Sequence, residues 1–103
     1  MNFFRLQDAG ISFKDMQNFS SADGGDGMGE VGGLCVSGSV SHFGGAEGAY
    51  YASRPGEVVV LKGHILAEIY DGYRIMSTKE VARFSLTDWQ RMVEDGEASD
   101  YEY

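Results

Sequence analysis

The sequence predicts an α+β domain: a mostly antiparallel sheet of five to six strands with two or three short helices. Three observations carry that reading. The second half holds β-branched and alternating apolar runs around the turn dipeptide Asp71-Gly72, the pattern of hairpin-linked strands. Thr87-Asp88-Trp89-Gln90 has the form of a capping box and precedes an amphipathic run. Residues 18–33, NFSSADGGDGMGEVGG, contain six glycines and no apolar period, which reads as a long connection rather than an element. At 103 residues the chain is long enough for one domain with a modest core and too short for two.

Taken in order, residues 2–7 (NFFRLQ) form a first strand, with Phe3, Phe4 and Leu6 apolar around Arg5. Ser12 is placed to cap a short helix, with Asp15 three residues on. After the glycine-rich loop, residues 34–37 (LCVS) resume a strand, and a short helix is expected over 46–52, around Tyr50 and Tyr51. Residues 57–62 (EVVVLK) are β-branched and continuous enough for a central strand. Residues 64–70 (HILAEIY) and 73–76 (YRIM) form a hairpin across Asp71-Gly72, and 79–85 (KEVARFS) extend as a further strand. The closing helix starts at Thr87, puts Trp89, Met92 and Val93 on one face, and stops at Gly96. The expected organisation is a single domain over 1–96 and an acidic tail over 97–103.

Charge is distributed unevenly. Residues 1–93 hold 11 acids and 8 bases, whereas residues 94–103 hold 5 acids and no base, within a net charge of −8. Such a chain repels phosphate backbones and anionic lipid, because affinity for both is built from Lys and Arg, and it attracts basic surfaces. The longest apolar run, Val58-Val59-Val60-Leu61, is far too short to span a bilayer. The first residues, MNFFRLQDAG, lack a secretory pattern, and a single cysteine, Cys35, excludes an internal disulfide framework. A cytoplasmic location is expected.

Catalytic and metal motifs fail on context. Residues 27–32 (GMGEVG) match G-x-G-x-x-G, but dinucleotide binding needs a strand before it and a helix after it, and here LCVS follows. Asp23, Asp26 and Glu30 lack the alternate spacing of an EF-hand. In GGDGMGEVG, Gly29 stands where a calcium nonapeptide has its aspartate. Cys35 sits in an apolar run with His42 and His64 at no ligand spacing, and nothing selects a catalytic pair from Glu57, Glu68 and Asp71. No metal and no cofactor is expected.

Two resemblances follow from particular residues. The succession Phe4-Arg5-Leu6, Leu34-Cys35-Val36-Ser37, Ala49-Tyr50-Tyr51-Ala52 and the strand 57–61 resembles the core of ADP-ribosyltransferase-like domains. That resemblance implies NAD as cofactor, Arg5 and Ser37 as its contacts, and Asp71 where the family places a late glutamate. In size, acidity and lack of a catalytic set, the chain also resembles the small phage-encoded inhibitors called anti-CRISPR proteins. This second resemblance implies a non-enzymatic inhibitor that binds a basic nucleic-acid-binding surface, of the CRISPR surveillance complex type, and blocks DNA by acidic mimicry in the host bacterial cytoplasm. The expected contacts are Asp23, Asp26 and Glu30 in the loop, with Glu94, Asp95, Glu97, Asp100, Tyr101, Glu102 and Tyr103 at the end of the chain. No direct contact with nucleic acid or membrane is expected. A homodimer is compatible with the VVVL strand if that strand lies at a sheet edge.

Overall fold

The computed structural model describes residues 1–17, 33–39, 55–69 and 72–102. The glycine-rich residues 18–32 with Asp23, Asp26 and Glu30, the helix expected over 46–52, His42, Asp71 and Tyr103 lie outside the described residues. The described elements are β1 (Phe3–Asp8), α1 (Phe13–Met16), β2 (Leu34–Val36), β3 (Gly56–Ile69), β4 (Gly72–Ser85), α2 (Leu86–Asp95) and a 3-10 helix (Glu97–Tyr101). Among the described residues the fold is α+β, with one antiparallel four-stranded sheet in the order β1-β3-β4-β2.

The six expected strand segments become four strands because two pairs of them are continuous. EVVVLK and residues 64–69 of HILAEIY are both parts of β3, and YRIM and KEVARFS are both parts of β4; the two strands pair from Glu57↔Ser85 to Ile69↔Gly72. Gly63, which punctuates the sequence like a turn, sits instead at one of three register shifts in this ladder. A Cβ on Gly63 would lie 2.5 Å from the Met76 carbonyl oxygen, so only glycine lets the two backbones approach this closely and the strand bend without ending. Bending is required. A straight 14-residue strand runs about 45 Å, and the longest dimension of the molecule is 38 Å.

Bending also brings the outer strands together. β1 pairs with the first half of β3, from Phe3↔Leu61 to Asp8↔Gly56, while β2 pairs with the first residues of β4, from Leu34↔Ile75 to Val36↔Tyr73. Phe4 and Ser37 then exchange reciprocal backbone hydrogen bonds of 2.8 Å each. The two ends of the strand order meet there, and the sheet curls onto itself.

Both faces of β3 are consequently buried near its start. Val58 and Val60 join Phe4 beneath α2, where Leu86, Trp89 and Met92 cover them. Val59 and Leu61 face the opposite way, into a cluster with Phe3, Leu34, Val36, Ile75 and Met16 of α1. All four residues of the VVVL run are fully buried, which is why the run shows no polar alternation. β3 lies between β1 and β4, so this segment is interior to the sheet. The edge position that would make it a dimerisation strand is corrected.

Helix ends follow side-chain caps. Ser12 Oγ accepts from Asp15 N at 3.1 Å to start α1, as expected. The N-cap of α2 lies two residues before the expected Thr87. It is Ser85, whose Oγ accepts from Asp88 N at 3.1 Å. The earlier start brings Leu86 into the helix, where it is buried, and burial of a leucine outweighs the choice between two adequate caps. α2 ends where expected, at Gly96 with φ 79°. No helix among the described residues is long and apolar enough to cross a membrane.

An ion-pair cluster ties the base of the hairpin to the β1–α1 connection. Arg83 reaches Glu80 at 2.6 Å and Glu57 at 3.2 Å and donates to the Ile11 carbonyl, while Glu57 accepts from Gly10 N at 2.7 Å. The hydrogen bond to Glu80 is the main cause holding the Arg83 guanidinium above its ordinary range.

Two glycines with different constraints make a test. Gly63→Ala meets backbone and should destabilise by about 2–3 kcal/mol. Gly96→Ala meets open space and carries only the left-handed backbone cost, about 1 kcal/mol. Urea unfolding midpoints read the order, and a neutral Gly63→Ala would contradict the bent-hairpin account.

Candidate partner-binding surface

The end of the chain is a folded ridge. In a 3-10 helix, positions three apart are stacked on one side. Over Glu97–Tyr101 that spacing puts Ala98 and Tyr101 together toward the core and Glu97 and Asp100 together on another side. Ala98 is buried at 1% exposure. Tyr101 is half-buried, packing edge-on against Phe84 with centroids 5.4 Å apart and lying 6.2 Å from Trp89. Asn2 Nδ2 donates to the Tyr101 carbonyl at 2.7 Å, linking the two ends of the chain, and Ser99 Oγ donates to the Gly96 carbonyl at 2.7 Å.

This changes the meaning of the boundary expected at residue 96. A helix does end there, but residues 97–101 turn through the left-handed Gly96 and pack back onto the domain. Tyr101, expected among the contact residues, spends its ring on the core. The A-x-x-Y spacing just after a helix that carries Trp89 was the available sequence signal, and it was masked by the acids around it.

The packing leaves the carboxylates outside. Asp88, Glu94, Asp95, Glu97, Asp100 and Glu102 are all exposed. Arg91 is the one base in residues 86–102 and lies 3.5 Å from Asp88. Among the described residues, no basic side chain pairs with the other five carboxylates. Glu94 and Asp95 also lie in the last turn of α2, which has no base, so they face the negative end of the helix dipole at a cost of a few tenths of a kcal/mol each, roughly. The result is five like charges on a short, anchored stretch of chain. Such a surface attracts cations and basic side chains without first having to break pairs of its own.

Of the residues implied by the NAD-dependent reading, Arg5 and Ser37 are near along the backbone, but Ser37 stands opposite Phe4, so Arg5 alternates to the other face. Arg5 lies on β1 and Ser37 directly follows β2, and these strands join at the Phe4–Ser37 bonds. Arg5 Nη1 donates to the Cys35 carbonyl at 2.9 Å and Nε to Gln7 Oε1 at 3.4 Å. Ser37 is buried, and its Oγ accepts from Ser39 N at 3.0 Å.

The other candidates are dispersed. Glu57 is in the Arg83 cluster at the start of β3, and Glu68 is exposed near its far end. His64 is exposed opposite Met76, while Cys35 lies opposite Arg74. Among the described residues, no group of three or more His, Cys, Asp or Glu side chains is arranged to hold a metal ion.

Arg74 has no counterpart in the sequence reading. It is fully buried on β4 and donates from Nη1 to the Gly33 carbonyl at 3.1 Å. A lone arginine between Tyr73 and Ile75 reads as the solvent face of an alternating strand, so the pattern gave no signal of burial.

Compared with protein-family models, curated proteins and solved structures, the chain matches none.

Packing and charge in the ridge are separable by substitution. Tyr101→Ala removes the aromatic foot and should lower stability by about 2 kcal/mol. Neutralising Glu97, Asp100 and Glu102 to their amides should change it by less than about 0.5 kcal/mol, since all three are exposed. Equal losses in the two variants, read by thermal or urea melts, would contradict the anchored geometry.

Proposed function

We propose that this protein is a non-enzymatic inhibitor whose acidic ridge occupies a basic nucleic-acid-binding surface of another protein and keeps DNA from it. A CRISPR effector complex is the partner type that the resemblance in size and charge favours. The observation that carries the reading is the set of five exposed carboxylates, on Glu94, Asp95, Glu97, Asp100 and Glu102, without basic partners among the described residues and held on a packed foot. Anchoring matters because a pre-ordered surface loses less conformational entropy on binding than a flexible tail does. Asp23, Asp26, Glu30 and Tyr103 extend the proposed contact set.

In this reading the carboxylates take the place of phosphates against Lys and Arg. Long-range attraction steers the encounter, and the partner's guanidinium groups form charge-assisted hydrogen bonds at contact. The protein itself touches neither nucleic acid nor membrane, needs no cofactor or metal, and acts in the bacterial cytoplasm.

The test is binding to a purified CRISPR effector complex, with DNA competition as readout. Raising salt from about 50 to about 300 mM should weaken binding by about tenfold or more. The five-fold amide variant at residues 94, 95, 97, 100 and 102 should lose binding to a similar degree while keeping its melting temperature. Binding indifferent to both changes would sink the electrostatic reading. Deleting residues 97–103 is the poorer experiment, because it also removes Ala98 and Tyr101 from the core.

A second reading rests on the β1–β2 junction, where Ser37 bonds Phe4, the residue before Arg5. It makes the protein an ADP-ribosyltransferase-like enzyme that modifies a host protein, using NAD with Arg5, Ser37 and Asp71. Incubation with labelled NAD and bacterial lysate should then label a protein, and Arg5→Ala should abolish the label. Absence of labelling by the unaltered protein removes this reading and leaves the first intact.

A further inference from the structure

We draw no further inference here: the strongest candidate, the exposed apolar side chains of Ile65, Leu66 and Met76 on the distal half of the β3–β4 hairpin, carries nothing because nothing in the structure shows what covers them.

Discussion

Trp89 is the contact on which most of the described structure depends. Its ring lies 5.5 Å from Phe4 of β1, 5.6 Å from Phe84 of β4 and 6.2 Å from Tyr101 of the 3-10 helix. One side chain therefore joins the first strand, the long hairpin, the last helix and the end of the chain. Aromatic pairs at such distances each contribute about 0.5–1.5 kcal/mol beyond area burial. In a domain whose net stability is about 5–15 kcal/mol, that is a substantial fraction held at one point. Glu94 and Asp95 in the last turn of α2 oppose it only weakly, by a few tenths of a kcal/mol apiece, roughly. Packing wins by a wide margin, so an electrostatically unfavourable chain end can still be an ordered one.

The second constraint is the double-sided burial of residues 58–61. A sheet with one wet face would show alternation along β3, whereas this strand has α2 on one side and the curled interior with Met16 on the other. Curling needs the hairpin to bend, and bending needs the close approach at Gly63. The Phe4–Ser37 bonds are the consequence, since they form only when β1 and β2 have been carried toward each other. Fold and proposed surface are thus connected. The same β1 that closes the sheet supplies Phe4 to Trp89 and is preceded by Asn2, which holds the Tyr101 carbonyl.

The sequence disclosed the strongest periodicities and missed features that depend on distant partners. The antiparallel sheet, the pairing of β3 with β4, the Ser12 cap and the stop at Gly96 are local events, and local chemistry suffices to read them. Strand count was over-read, because a glycine within an apolar run looks the same whether the chain turns or bulges. The cap of α2 falls two residues earlier than the sequence suggests, because Ser85 and Thr87 are both good caps and tertiary burial of Leu86 decides between them. At the candidate site, the excess of acid after residue 93 was legible from composition alone. The fold-back of residues 97–101 was not, since it depends on Phe84, Trp89 and Asn2, far away in sequence or hidden on another element. Burial of Arg74 was likewise invisible, because charge in a strand is the usual mark of its wet face.

Mimicry by a pre-ordered surface requires that the carboxylates ride on a rigid ridge and not on a loose end. Backbone 15N order parameters for residues 97–102 of the free protein measure this directly. Rigid backbone gives values of about 0.85, and flexible chain falls below about 0.6. Across residues 97–101 the values should lie close to those of α2. Values in the flexible range there, with α2 itself ordered, would contradict the rigid ridge.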